Sequence, residues 1–189
     1  MAAKKADVCL VLSKNMKEYI DKKYKINSVL FANGIDKPVN HEPQLIKEKY
    51  GLEKDEYILS LGRIVPEKGI QYLIEAMPKV LNSYHDAKLV IAGKGGMIDE
   101  LRAEADSLGL GDKIYFAGYL GGKDVEKMYK AADISVFPST YEPFGIVALE
   151  AMLSENPVVV SDIGGLNEIV QHKENGMKSY AGNPNSIAD

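Results

Sequence analysis

Two glutamates separated by seven residues raise the first chemical question in this 189-residue sequence. Glu142 and Glu150 lie in the stretch STYEPFGIVALEAM, residues 139–152. Paired carboxylates suggest either the acid and base of a hydrolase or two acceptors for the hydroxyl groups of a ligand. The residue before a proline is extended and proline favours the first turn of a helix, so we predict a helix that begins near Pro143 or Phe144. Glu142 then lies in the preceding loop.

The position of this helix bears on the choice between the two roles. A helix that begins there places Glu150 about two turns along it, roughly 10 Å from Glu142 at about 1.5 Å per residue. A glycosidase needs two carboxylates about 5 to 9.5 Å apart across one bond, one of them with a raised pKa. We therefore favour two ends of one ligand. In the simplest alternative Glu142 is a cap and Glu150 a solvated helix residue, which fits poorly with the apolar flanking sequence VALEAM.

Two cations follow the apolar run YILSLG, which ends at Gly62. Arg63 comes directly after the run, Lys68 lies five residues further, and a helix is predicted from about Gly69. Cations beside a helix N-terminus bind a diphosphate well, because the helix dipole and the free N–H groups add to the side-chain charges. The alternative is that Lys68 is a solvated surface residue and Arg63 pairs with Glu67, and spacing alone does not separate the two.

Glycines near the predicted helix at Pro143 add a second candidate anion site. Gly145 lacks a Cβ, which would let a ligand approach the N–H groups of Gly145, Ile146 and Val147 opposite the two cations. Because a carboxylate repels a pyrophosphate, the glutamates are expected to accept from hydroxyl groups instead. A ligand with central phosphates and a hydroxylated ring on each side meets these requirements, and a nucleotide sugar is such a molecule.

Two further glycine-rich stretches follow predicted strands. The sequence AGKGG, residues 92–96, lacks both the GxxxxGKS/T pattern and a full GxGxxG, and a tight strand-to-helix turn explains it. The sequence GYLGGK, residues 118–123, exposes backbone that is suited to hydrogen bonding with the edge of a base.

The elements that position these residues alternate along the chain. Strand-length apolar runs are separated by amphipathic helical patterns, and the runs occupy residues 57–62, 87–93, 113–118, 133–138 and 156–162. Strands that are apolar throughout are typical of a parallel sheet covered by helices on both faces. We predict an α/β fold with a doubly wound, mostly parallel, Rossmann-like sheet. Ligands of such sheets bind at the carboxyl ends of the strands, where the residues discussed above lie.

The two ends of the chain fit this unit less well. Residues 1–33 have the pattern strand, helix, strand and close at the turn NGID, residues 33–36. We interpret 1–33 as the remnant of an N-terminal domain or as an interdomain segment, and 34–189 as the ligand-binding domain. The stretch GNPNSIAD contains a helix start, so the domain is expected to be truncated at its C-terminus. Apolar surface left uncovered on 1–33 is expected to favour self-association.

Composition restricts the class of partner. The 23 Lys and Arg residues against 27 Asp and Glu are spread along the chain, which argues against a nucleic-acid partner. The single cysteine, Cys9, cannot form an internal disulfide and suits a reducing compartment. No apolar run is long enough for a signal core or a membrane span. A cytoplasmic location is expected, and peripheral attachment to the inner membrane face through another part of the protein is left open.

Several motifs in fixed order resemble one enzyme superfamily. The sequence looks like the C-terminal, donor-binding domain of the retaining glycosyltransferases with two Rossmann-like domains (the GT-B type), the glycogen synthase and bacterial mannosyltransferase group. The resemblance covers roughly residues 27–185, and it is carried by LGRIVPEKGI, LVIAGKG, FAGYL, ADISVFPSTYEPFGIVALEAM, PVVVSDIGGLNEIV and ENG. The stretch NGMKSYAGNP departs from the pattern, since family members usually have an apolar run and a proline before the glycine.

The resemblance implies roles for the predicted site residues. Arg63 and Lys68 would hold the diphosphate and stabilise its charge as it leaves, and Glu142 would bind hydroxyls of the donor sugar. Glu150 would accept from the ribose hydroxyls. The remaining residues implied to contact the donor are Gly62, Lys94, Gly118, Tyr119, Phe144, Gly145, Ile146 and Val147, with the backbone near Lys94 and Tyr119 framing the base. No metal and no cofactor beyond the nucleotide-sugar substrate is implied.

The resemblance also implies a reaction. A hexose would move from a nucleoside diphosphate to the hydroxyl of an acceptor sugar, lipid or polysaccharide that is bound by the N-terminal domain. The 189-residue chain alone is then expected to bind donor and to be inactive. The sugar and the nucleotide stay undetermined. Two alternatives are a nucleotide-sugar-binding module without turnover and a nucleotide-sugar epimerase on a related fold.

Overall fold

A small parallel sheet precedes the main one along the chain. The computed structural model describes residues 5–36, 47–48, 52 and 56–189. Strand β1 (Leu10–Val11), helix α1 (Lys14–Tyr24) and strand β2 (Val29–Leu30) form a two-stranded parallel sheet with its connecting helix. The predicted order of strand, helix and strand is confirmed for this segment, while the domain boundary near residue 34 stays a prediction.

The larger sheet has six strands in the part of the chain that the structure describes. These strands are β3 (Tyr57–Leu61), β4 (Lys88–Ala92), β5 (Ile114–Gly118), β6 (Ile134–Phe137), β7 (Val158–Ser161) and β8 (Met177–Ser179). The helices are α2 (Ile70–Ser83), α3 (Ile98–Ser107), α4 (Lys123–Ala131), α5 (Ile146–Leu153), α6 (Gly164–Ile169) and α7 (Pro184–Ala188). A short 3₁₀ helix, Pro66–Lys68, precedes α2.

The strand order explains where a ligand site can form. The strands lie in the order β5-β4-β3-β6-β7-β8, and every pairing is parallel. The chain therefore runs outward from β3 to β5, crosses back to β6, and runs outward on the other side to β8. This confirms the doubly wound α/β prediction and puts the reversal of winding between β3 and β6.

The strands are apolar on both faces, as the sequence pattern predicts. In β4, Val90 packs into one buried cluster and Leu89 and Ile91 into the other. Because successive side chains point to opposite faces, each strand contributes to two cores, and each core is closed by helices. The sheet is thus fixed from both sides, which makes the carboxyl ends of the strands a rigid base for the loops.

Helix α5 begins later than the sequence predicts. It starts at Ile146, because Gly145 adopts a left-handed backbone with φ of +96° that cannot continue into the preceding residues as a helix. Glu150 is therefore about one turn along the helix, and the prediction of two turns is wrong. The prediction that Glu142 lies in the preceding loop is confirmed.

Helix α1 is joined to α6 at its N-terminus. The carboxylate of Glu168 accepts hydrogen bonds from the backbone N–H groups of Lys14 (2.9 Å) and Asn15 (2.8 Å). The side-chain amide of Asn15 donates to the carbonyl of Gly164 (3.3 Å), and Ser13 caps the same turn by accepting from Met16. A carboxylate at this end also interacts favourably with the helix dipole.

The loops that leave β3 and β4 lie against each other. The N–H of Gly62 donates to Ala92 O (3.0 Å), and the N–H of Ile64 donates to Lys94 O (3.0 Å). At Gly93 a Cβ would lie 1.8 Å from the carbonyl oxygen of Gly62. The glycines of the AGKGG stretch thus allow two backbones to approach, which is the tight-turn interpretation.

This close approach predicts that Gly93→Ala lowers the free energy of unfolding by about 1–3 kcal/mol, because the new methyl group meets backbone that cannot give way. Gly96→Ala is the matched control, since a Cβ there meets no heavy atom of the described residues within 4 Å. Denaturant unfolding monitored by circular dichroism measures both. Equal midpoints for the two variants would contradict the proposed role of the contact.

Candidate functional site

A crevice lies at the carboxyl ends of β3 and β6, where the winding of the sheet reverses. The residues that line it come from the ends of both strands and from the loops beyond them: Ser60, Leu61, Gly62, Arg63, Lys68, Ile70, Phe137, Pro138, Ser139 and Val147. The loops diverge here because the two neighbouring strands connect to opposite sides of the sheet. Both predicted cations are therefore at the expected edge.

An ion pair crosses this crevice. The ammonium group of Lys68 contacts the carboxylate of Glu142, 74 residues further along the chain. The two side chains are only 18% and 10% exposed, so they are largely shielded from water. The alternative in which Lys68 is a solvated surface residue is therefore wrong. The pair brings a cation and a carboxylate to one place, as a site for both phosphate and hydroxyl groups requires.

Backbone contacts hold Glu142 in position. The N–H of Gly165, at the start of α6, donates to Glu142 O (2.9 Å), and a Cβ at Gly164 would lie 2.1 Å from the same oxygen. On the other side of the pair, the N–H of Thr140 donates to Glu67 O (2.9 Å). The loops that carry Lys68 and Glu142 are therefore tied to each other and to α6 through main-chain atoms.

Arg63 is placed differently from Lys68. Its side chain is 69% exposed, and its guanidinium lies 3.2 Å from the carboxylate of Glu67. The alternative in which Arg63 pairs with Glu67 is thus confirmed. Exposed ion pairs of this type contribute about 0–1 kcal/mol, so the contact holds Arg63 only weakly at the edge of the crevice.

The first turn of α5 forms another part of the crevice. Val147 lines it together with Lys68, and the first N–H groups of a helix, here those of Ile146 and Val147, have no partner within the helix. Gly145 also has a packing reason, because a Cβ at that position would lie 2.7 Å from Leu166 Cδ2, a core side chain. Approach of a ligand to the N–H groups stays a prediction. The glycine serves the backbone turn and the packing beneath it.

Phe144 shares this close packing with α6. A Cβ at Gly165 would lie 2.1 Å from the Phe144 carbonyl oxygen. The turn formed by residues 142–145 is therefore pressed against the first turn of α6. This contact fixes the direction in which α5 leaves the loop.

Glu150 lies in a second cleft, on the other side of the first turn of α5. This cleft has a volume of about 420 Å³ and is lined by Gly34, Ile35, Asp36, Gly122, Val125, Glu126, Tyr129, Ile146, Glu150 and Ser154. The hydroxyl of Tyr129 donates to Glu150 Oε2 at 3.2 Å. Glu150 thus pairs with Tyr129 in this cleft, whereas Glu142 pairs with Lys68 beside the crevice, which fits two ends of one ligand.

The environment of Glu150 changes two pKa values. Burial raises the pKa of the Glu150 carboxyl, and the hydrogen bond from Tyr129 partly opposes that rise. Burial, followed by the charge of Glu150, raises the pKa of the Tyr129 hydroxyl well above its usual value. Tyr129 therefore keeps its proton near neutral pH and donates it to the hydrogen bond.

An apolar surface extends from the crevice toward β5. Tyr119 is 69% exposed, and the ammonium group of Lys94 lies 4.7 Å from the centroid of its ring. The adjacent hollow, of about 150 Å³, is lined by Leu61, Gly62, Arg63, Ala92, Gly93, Lys94, Tyr119 and Leu120. Gly118 O accepts from the N–H of Gly93 (2.8 Å), so this carbonyl is engaged within the loop. An exposed ring beside a cation is suited to a planar ligand.

The structure therefore groups the predicted residues along one edge of the sheet. Gly62 and Arg63 line both the crevice and the hollow beside Tyr119, which makes these two regions continuous. Sequence reasoning missed Ser139 and Tyr129. Ser139 directly follows the predicted run 133–138, so its position was a detectable signal. Tyr129 lies within a helical pattern that gives no sign of its partner.

Two other kinds of feature are absent from the described residues. No group of three or more His, Cys, Asp or Glu side chains there is arranged to hold a metal ion. Within the same ranges, no helix has the length and apolar character needed to cross a membrane.

The chain is similar to known glycosyltransferases in sequence and in structure. It is 52% identical over 143 residues to an uncharacterized glycosyltransferase of Methanocaldococcus jannaschii, a match that covers 75% of this chain and 36% of that protein. A crystal structure of the C-terminal domain of a glycosyl transferase group 1 family protein from Francisella tularensis is 30% identical with a TM-score of 0.67, covering 82% of this chain and 85% of that one.

A further crystal structure shares the fold over nearly the whole chain. Anabaena HepE, solved in complex with UDP and glucose, has a TM-score of 0.90 at 24% identity, covering 98% of this chain and 53% of HepE. The present chain spans about a third of the length of the first curated relatives it matches. Residues 43–189 match the family described as glycosyl transferases group 1. The chain therefore belongs to the glycosyl transferases group 1 family.

Proposed function

We propose that this domain binds the donor of a retaining glycosyltransferase, which transfers a hexose from a nucleoside-diphosphate sugar to an acceptor hydroxyl. The observation that carries the proposal is the ion pair of Lys68 with Glu142 at the reversal of winding, beside the first turn of α5. The cation proposed for the diphosphate and the carboxylate proposed for the sugar hydroxyls are in direct contact with each other. Membership of the group 1 family favours transfer over the epimerase alternative.

The donor lies along the carboxyl ends of the strands, with its base toward Tyr119 and its sugar toward Glu142. The base lies against Tyr119 and Lys94, and the diphosphate lies between Arg63, Lys68 and the free N–H groups at the start of α5. The donor sugar then reaches Glu142, and the ribose hydroxyls reach Glu150. The UDP and glucose bound by HepE, which shares this fold, support a nucleotide sugar as the class of ligand.

The ion pair explains how the free protein is prepared for the donor. Glu142 and Lys68 neutralise each other in a place that is largely shielded from water. When the donor binds, hydroxyl groups of the sugar become partners of Glu142 and the diphosphate becomes the partner of Lys68. Negative charge that develops on the leaving diphosphate is then stabilised by a cation that is already in position, which is the main catalytic contribution.

The acceptor belongs to a part of the protein outside these residues. Since the chain spans about a third of its curated relatives, we propose that an N-terminal domain binds the acceptor sugar, lipid or polysaccharide. Holding donor and acceptor together supplies much of the entropic advantage of the reaction. Retention of configuration rests on the resemblance to the glycogen synthase and mannosyltransferase group.

Removing either cation tests the diphosphate site. Lys68→Ala is expected to weaken binding of a nucleoside diphosphate by about 1.5–3 kcal/mol, as for a shielded hydrogen bond to a charged group. Arg63→Ala is expected to cost about 0–1 kcal/mol, because its side chain is largely exposed. Calorimetric titration with UDP, ADP and GDP measures both.

Lys113→Ala provides the control for these two variants. Lys113 donates to His85 O at the opposite edge of the sheet, so its loss removes the same charge away from the crevice. Failure of all three nucleoside diphosphates to bind, or an equal loss in Lys113→Ala and Lys68→Ala, would count against the proposed site.

Glutamine substitutions separate the roles of the two glutamates. Glu142→Gln is expected to leave binding of the free diphosphate unchanged or tighter, because Lys68 loses its internal partner, and to remove the preference for the sugar-bearing form. Glu150→Gln is expected to weaken both forms equally, since both carry the ribose. Titration of each variant with UDP and UDP-glucose, or with the pair that the wild type binds, gives the two ratios. Equal weakening of both ligands by Glu142→Gln would show that its assignment to the sugar is wrong.

The 189-residue chain is expected to bind donor without transferring sugar at an appreciable rate. Released nucleoside diphosphate, measured with and without candidate acceptors, checks this expectation, and a longer protein that includes the preceding domain is the positive control. Rapid transfer by a demonstrably monomeric chain of this length would contradict the placement of the acceptor site outside it.

A further inference from the structure

Tyr129 is a buried side chain whose hydroxyl is directed at the candidate ligand cleft. Its residue is only 1% exposed, and its hydroxyl donates to Glu150 Oε2 at 3.2 Å. The ring packs edge-on against Phe137, with the centroids 6.4 Å apart and the planes at 64°. A ring held in this way cannot follow a moving partner, so the position of the hydroxyl is set by the core.

The carboxylate of Glu150 is the adaptable member of this pair. It extends from the start of the second turn of α5 into a cleft, and its burial is partial. The hydrogen bond from Tyr129 occupies one of its oxygens, Oε2. The other oxygen, Oε1, keeps its capacity to accept hydrogen bonds from a ligand in the cleft. The fixed tyrosine thus selects one orientation of the carboxylate.

The charges around the cleft indicate what such a ligand offers. Glu126, from α4, and Asp36, from the segment after β2, line the cleft together with Glu150. The negative charges of Glu150 and Asp36 disfavour a phosphate in this place and favour a neutral group with hydroxyl donors. A ribose meets this requirement while the diphosphate remains beside Lys68, on the other side of the first turn of α5.

We propose that Tyr129 is a positioning residue that orients Glu150 for the two ribose hydroxyls, and so sets the preference of this site for ribonucleotides over deoxyribonucleotides. The inference rests on the proposed function, in which Glu150 binds the ribose. It adds a residue from a neighbouring helix that acts through its hydrogen bond to Glu150.

The same hydrogen bond gives the preference a pH dependence. Glu150 accepts fully from two hydroxyls when it is ionised, so the preference falls as the pH drops through its pKa, which burial raises above the usual value. The hydrogen bond from Tyr129 lowers that pKa, and its removal raises it further. In Tyr129→Phe the loss of preference therefore moves to higher pH.

The test compares two tyrosines that differ in their partners. Tyr129→Phe keeps the ring and removes the hydroxyl. Tyr57→Phe is the matched control, because Tyr57 is also 1% exposed and its hydroxyl donates to α4, at Met128 O (3.1 Å), away from Glu150. Calorimetry of the full chain with UDP and 2′,3′-dideoxy-UDP, and with the corresponding ADP and GDP pairs, gives the ribose preference as a ratio of Kd values.

The wild type and Tyr57→Phe are expected to prefer the ribose form by about 10- to 100-fold. In Tyr129→Phe the ratio of Kd values is expected to fall about fivefold at neutral pH. The pH at which the remaining preference is lost on acidification is expected to be higher than in the wild type. An unchanged ratio in Tyr129→Phe, or the same fall in both variants, would overturn the positioning role and leave the donor site in place. If the wild type binds none of the three ribonucleotides, the proposed function fails and the inference fails with it.

Discussion

The site depends on the reversal of winding between β3 and β6. In every other neighbouring pair of the large sheet, the two strands follow each other along the chain. The loops at the ends of those strands therefore leave toward the same side of the sheet. Between β3 and β6 the chain leaves in opposite directions, and the loops separate. Lys68 and Glu142, which are far apart in sequence, meet across this gap. The crevice is therefore a consequence of topology, and the side chains give it its chemistry.

The ion pair in the crevice is suited to a site that must exchange partners. Two charges shielded from water need compensation, and here each supplies it for the other. A ligand that carries both a diphosphate and hydroxyl groups offers each charge a replacement, so binding need not leave either one uncompensated. A ligand with only one of these groups breaks the pair and satisfies one member. In the proposed function, this arrangement would favour the complete nucleotide sugar over its separate parts.

The sequence predicts the elements of the fold well and the contacts within the site poorly. The strands between residues 57 and 161 were recognisable because they are apolar on both faces and bounded by Gly, Pro or Asp. The pairing of Lys68 with Glu142 depends on strand order, which short-range patterns do not encode. The late start of α5 depends on the backbone of Gly145, whose contact with Leu166 joins two segments of the chain. Tyr129 had no signal, since a tyrosine on the buried face of a helix normally belongs to the core.

Helix α6 carries two connections that lie within one turn of each other. Near its start, Gly165 holds the main chain of Glu142, and near its end the carboxylate of Glu168 holds the first turn of α1. A short helix of six residues has little capacity to bend between these points. The same short helix therefore contacts both the first turn of α1 and the main chain of Glu142. The segment before the large sheet is thereby linked to the Glu142 loop through hydrogen bonds to α6, even though β1 and β2 pair in a sheet of their own.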